Sequence, residues 1–102
     1  MSLNKQILFN ELAEHTGAIR SFGVERLGVF GSFVRNTMTD QSDVDILVEF
    51  SLGTKNFNNI FALHEFLQKL TKRKVEIVTK ESLSPYIGPS ILNEVEYVPF
   101  RN

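Results

Sequence analysis

The chain has 102 residues, 42% hydrophobic and 23% charged, with a net charge of −1 and no cysteine. One domain with a modest core is expected over residues 1–102. Disulfides and thiolate metal sites are excluded, and no overall field favours nucleic acid or an anionic membrane.

Leu3, Ile7, Leu8, Leu12 and Ala13 recur at helical spacing, and Asn4 can cap the start. The spacing predicts a helix over 4–16, with Gly17 as its stop. Residues 18–23 either extend that helix or form a short turn ending at Gly23. Val24 to Phe30 reads as a strand, in which Gly28 allows close backbone approach. Phe33 to Asn36 reads as the first turn of a short helix, followed by a polar loop to Ser42. Val44 to Phe50 is the strongest strand pattern, and 51–55 is a loop around Gly53. Phe57, Ile60, Phe61, Leu63, Phe66, Leu67 and Leu70 mark an amphipathic helix over 57–71, with Phe57, Phe61 and Phe66 assigned to the core. A helix between two strands suits a parallel crossover. Lys74 to Thr79 alternates as a strand. Pro85 and Pro89 break the following chain, and Ile91 to Glu96 is read as a last helical turn before Tyr97. There is no internal repeat or low-complexity tract. No apolar run approaches membrane-spanning length and no basic-then-apolar leader opens the chain, so a cytoplasmic protein is expected.

The chemistry concentrates in Gly31-Ser32-Phe33-Val34-Arg35-Asn36 and in Ser42-Asp43-Val44-Asp45. Residues two apart on a strand share a face, so Asp43 and Asp45 project together while Val44, Ile46 and Val48 point into a core. Two adjacent carboxylates repel unless a cation lies between them. A hard divalent ion with oxygen ligands, Mg²⁺ above all, is the natural candidate. Gly31 and Ser32 offer a backbone N–H and a hydroxyl at a helix start, where phosphate is stabilised; Ser is also a preferred helix cap, and the two readings can both hold. Arg35 either neutralises phosphate or sits in a structural ion pair. Lys69, Lys72, Arg73, Lys74 and Lys80 cluster around Glu76, facing phosphate, RNA or an acidic partner, or simply solvating a helix end. His15 and His64 have no second ligand at metal spacing.

Gly31-Ser32, ten intervening residues, then Asp43-x-Asp45 with a third acid, Glu76, on a later strand resembles the polymerase-β-type nucleotidyltransferase superfamily. The small size resembles its minimal branch, the MNT proteins that accompany HEPN-domain partners. The resemblance covers about Val24 to Tyr97. It implies an α+β fold, with a small mixed sheet, helices packed on one face and a metal site at one end of the other. It implies Asp43, Asp45 and Glu76 as catalytic, metal-holding acids, and Gly31, Ser32 and Arg35 as the nucleotide cradle. The implied cofactor is Mg²⁺, or the more forgiving Mn²⁺, with ATP as substrate. The implied reaction is transfer of AMP to an acceptor hydroxyl on a HEPN toxin encoded by the adjacent gene, the chain acting as antitoxin. Its competitor is a non-catalytic antitoxin that neutralises the partner by contact. No membrane and no strong nucleic-acid signal accompany it, and an oligomer is left open. Three positions depart from the family's usual residues: Glu76 for Asp, Val34 for Ala and Asn36 for Gly. Asn tolerates a left-handed conformation, so the turn can survive.

Overall fold

The computed structural model describes residues 3–100. Its elements in chain order are α1 (Lys5–Glu14), α2 (Thr16–Ser21), β1 (Val24–Phe30), α3 (Ser32–Arg35), β2 (Val44–Phe50), α4 (Phe57–Thr71), β3 (Val75–Thr79), a 3₁₀ turn (Lys80–Ser82), α5 (Gly88–Glu94) and β4 (Glu96–Tyr97). The strands form one sheet in the order β3-β2-β1-β4. β1 is antiparallel to β2 and to β4, while β2 and β3 run parallel through the α4 crossover. The expected mixed α+β sheet is therefore present.

Alternation along β2 sorts the faces. Val44, Ile46 and Val48 are buried against Leu8, Leu12, Ile19, Leu63 and Leu67 from α1, α2 and α4. Asp43, Asp45, Leu47 and Glu49 take the opposite face. Asn4 caps α1, its Oδ1 accepting from the Ile7 N–H at 2.9 Å, and Asn56 caps α4 in the same way through Asn59 at 2.8 Å.

Four expectations are corrected. The helix expected over 4–16 stops at Glu14, and a second begins at Thr16, with His15 between them. Thr16 Oγ1 donates back to the Ala13 carbonyl at 2.7 Å and occupies the acceptor at the break. Gly17 then lies inside α2, and the turn closes at Gly23 instead. The last helix is Gly88–Glu94 rather than 91–96, because Pro89 sits in its first turn, where a missing N–H costs nothing. The chain from Glu96 is a strand, β4, which pairs Tyr97 with Gly28. A Cβ on Gly28 would lie 2.5 Å from Val95 Cγ2, so the close approach expected there is real.

The fourth correction concerns α4. Phe66 packs against Phe22 and His15, but Phe57 and Phe61 are 78% and 54% exposed and stack on each other, with ring centroids 6.1 Å apart. The buried stripe runs through Leu63, Leu67 and Thr71 with Ile60 at its edge. Phe61 follows Ile60 by one residue and so is turned away from it by about 100°. Replacing both rings with Ser should therefore change stability by less than about 1 kcal/mol. Truncating buried Phe33 to Ala should cost about 3–5 kcal/mol. Urea unfolding of the two variants measures the contrast.

Candidate active site

β2 delivers the first two acids. Asp43 immediately precedes the strand and Asp45 is its second residue. The parallel register sets Asp45 directly beside Glu76 of β3. Cross-strand partners share a face, so Asp45 and Glu76 come together at one end of the sheet, on the side away from the core, and the charge of Asp43 reaches Asp45.

The loop that leads to Asp43 is held by Arg73. Its Nη1 donates to the carbonyls of Thr39 and Ser42, each at 3.0 Å, and its guanidinium lies 5.6 Å from the Phe33 ring centroid. Arg73 is thus a positioning residue, not a free member of a basic patch. Lys80 is likewise engaged, 3.9 Å from Glu49. His15 and His64 bond backbone carbonyls, of Glu11 and Val75 respectively, and neither belongs to the site.

β1 delivers the other half. It ends at Phe30, which pairs with Asp45, and Gly31 turns the chain into α3 with φ 80° and ψ −151°. That conformation is essentially reserved for glycine. A side chain there would also run into the Asp45 carboxylate, so the Gly31 backbone and Asp45 lie in direct proximity. Gly31, not Ser32, is the N-cap of α3; Ser32 is its first helical residue. Asn36 ends the turn in the left-handed conformation expected of it, at φ 59°.

Burial, and then the charges of Glu76 and Asp43, push the Asp45 carboxyl up to about 6. Arg35 opposes this and Glu94 adds to it. Glu49, two turns of the pleat further along the same face, shows what a satisfied acid looks like here. It accepts from the Tyr97 hydroxyl at 3.0 Å and has Arg26 at 3.5 Å and Lys80 at 3.9 Å. The acid end of β2 instead carries an uncompensated excess of negative charge.

Glu94 is the site residue that sequence reasoning missed. Its Oε2 accepts from the Gly31 N–H at 2.9 Å and its Oε1 from Arg35 Nη1 at 2.6 Å. Arg35 is therefore in an ion pair in this structure. No local spacing announces Glu94, which lies 63 residues from Gly31.

The donor set fits a hard divalent cation: three carboxylates on one face, with Asp45 penalised by its neighbours. Among the described residues, no three His, Cys, Asp or Glu side chains converge closely enough to hold an ion as they stand.

The nucleotidyltransferase domain family matches residues 11–98. Protein adenylyltransferase MntA of Thermococcus cleftensis is 41% identical over 88 residues, covering 85% of this chain and 88% of that one. A solved structure of a candidate minimal nucleotidyltransferase superposes with a TM-score of 0.78 at 27% identity, over 92% of this chain and 95% of the other. A chain from the complex of a tri-AMPylated Shewanella oneidensis HEPN toxin with an MNT antitoxin shares the fold, with a TM-score of 0.66 at 16% identity over 95% of this chain and 73% of that one. No helix among the described residues is long and apolar enough to cross a membrane. On the family match and on its identity to an archaeal adenylyltransferase, the chain belongs to the nucleotidyltransferase domain family, among its minimal members.

Proposed function

We propose that the chain transfers AMP from ATP to a hydroxyl on a HEPN-domain toxin and thereby acts as its antitoxin. The observation that supports this is the pairing of Asp45 with Glu76 across the sheet, with the charge of Asp43 on Asp45 and with the Gly31 N–H and Arg35 at the edge of the same face. The likeness to MntA, and to the fold found with an AMPylated HEPN toxin, supports the choice of acceptor.

In the reaction the acceptor oxygen forms a bond to the α-phosphorus while the bond from that phosphorus to the bridging oxygen breaks. Pyrophosphate leaves, and the proton of the hydroxyl passes to solvent. Gly31 N–H, Ser32 Oγ and Arg35 hold the outer phosphates, where backbone donors and a guanidinium suit anionic oxygens. Asp43, Asp45 and Glu76 are the residues that would hold Mg²⁺ or Mn²⁺, which when bound neutralises the phosphates and favours the deprotonated hydroxyl. Glu76 lies on the edge strand, outermost of the three acids, and so faces an acceptor arriving from outside the sheet. A cleft of about 370 Å³ lined by Phe57, Ile60, Phe61 and His64 opens beside it. Positioning supplies much of the rate in reactions of this type.

A second reading is favoured by two observations: Glu94 fills the cradle, and among the described residues no three acids close on one another. On that reading the chain neutralises its partner by contact alone. Incubation with ATP labelled at the α-phosphate and the product of the adjacent gene separates the two. Label should appear on the partner and vanish with Glu76→Gln, while ATP affinity stays within a few fold. Transfer undiminished in Glu76→Gln removes Glu76 from the site. No labelled partner with the parent protein leaves the contact antitoxin.

A further inference from the structure

We propose that Glu94 is a built-in competitor of the nucleotide, a carboxylate that occupies the triphosphate's place and must be displaced before nucleotide binds. This rests on the reading of Gly31 and Arg35 as the triphosphate cradle. Both groups are already engaged by one anion. The two oxygens of Glu94 divide between them, one on the Gly31 N–H at 2.9 Å and one on Arg35 Nη1 at 2.6 Å. A phosphate oxygen seeking the same two donors meets them occupied, and it meets a like charge as well.

The contact is poorly explained as a device for stability. Glu94 is 21% exposed but its partner Arg35 is 59% exposed, and ion pairs with so open a partner contribute little. Glu94 also lies close enough to Asp45 to push its carboxyl upward, so its charge worsens the repulsion at the acid end. A carboxylate held beside other carboxylates is a poor choice for structure and a good stand-in for a phosphate.

The anchoring of α5 permits release. The helix has seven residues, and Gly88 is its only buried one among them. The chain after it is fixed separately: β4 pairs with β1, and the Val98 N–H donates to the Leu27 carbonyl at 2.8 Å. Glu94 can therefore swing off the cradle without loss of the sheet. Leu92, Ile87 and Tyr86, in and just before the same helix, are exposed, so whatever rests on them would bear on the same helix.

A competitor that is in place nine-tenths of the time weakens apparent affinity about tenfold, because only the vacated fraction binds. Glu94→Gln keeps the shape, cannot accept from Arg35 through its amide nitrogen and carries no charge. Calorimetric titration of the full chain with tripolyphosphate, and then with ATP, without metal, is the test. Glu94→Gln should bind both at least about tenfold more tightly than the parent, while its melting temperature stays level or falls. A merely structural Glu94 would lower stability and affinity together. Equal or weaker binding by Glu94→Gln overturns the proposal. Arg35→Gln in the Glu94→Gln background probes the cradle separately. If it weakens tripolyphosphate binding while Glu94→Gln alone gained nothing, only the competitor is wrong. If Arg35→Gln has no effect, the anion sits elsewhere, and both the cradle and the competitor fall.

Discussion

Gly31→Ala should slow adenylyl transfer about a hundredfold or more and cost about 2–4 kcal/mol of stability, the sum of backbone strain and a local steric conflict. At φ 80° and ψ −151° the residue occupies a region open almost only to glycine. The added methyl would also meet the Asp45 carboxylate. The Asp45 backbone is held in register between Phe30 and Glu76, so the carboxylate can yield only by rotating its side chain out of place. The strain therefore appears either as a displaced acid or as a displaced Gly31 N–H, and both belong to the proposed machinery. A misplacement of about 1 Å costs roughly a hundredfold in rate. Urea unfolding and labelled-ATP transfer measure the two effects. Gly17→Ala is the control: it lies inside α2, with nothing near a new methyl, and should be neutral or slightly stabilising. Full transfer by Gly31→Ala would show that the close approach of Gly31 and Asp45 has no part in the chemistry.

The second large effect is a divergence of stability and activity at Asp45. Its carboxyl is raised from 3.8 to about 6 by burial and by Glu76 and Asp43. The folded protein therefore holds this proton more tightly than the unfolded chain does. Stability from this group is fully present below about pH 4, falls as pH rises from there to about 6, and stays reduced above it. Asp45→Asn removes the charge and with it the penalty. The variant should be more stable than the parent at pH 7.5, by about 1 kcal/mol once solvent screening of a half-exposed group is allowed for. The gain should shrink to nothing by about pH 4. Transfer should fall by about a thousandfold or more, as expected for an electrostatic group at the reacting phosphate. Thermal melts of metal-free protein across pH, beside a transfer assay, test both halves. Destabilisation at pH 7.5 would mean that Asp45 is a satisfied structural acid like Glu49.

The two predictions draw on parts of the molecule that differ in how readily they are read from the chain. β1, β2 and α4 follow from local periodicity, and their bounds in the fold match the spacing of Val24 to Phe30, Val44 to Phe50 and 57–71. Their regularity also carries half of the site. Once 44–50 is a strand with Val44, Ile46 and Val48 inward, Asp43 and Asp45 must share the other face. Gly31 and Ser32 must then fall at the end of the preceding strand. A parallel crossover through α4 brings Glu76 to the same end, though only the register places it directly opposite Asp45.

Other features have no signature at short range. Phe57 and Phe61 satisfy a helical apolar pattern, yet which part of an apolar stripe is covered depends on where the sheet beneath it stops. Arg73 reads as one cation among five, and only the packing of the 37–42 loop over β3's approach commits it to two carbonyls. Pro89 reads as a breaker until the helix is seen to start beside it. Glu94 reads as an ordinary acid near the end of a short amphipathic turn. Its meeting with Gly31 requires β4 to fold back along β1, so that the residues just before β4 are carried to the end of β1. Periodicity tells which residues of one element point the same way, because the backbone repeats. It carries no information on which distant carboxylate will reach a given N–H, since that depends on strand order, register and the path of a loop, all of them set by the packing of the whole chain.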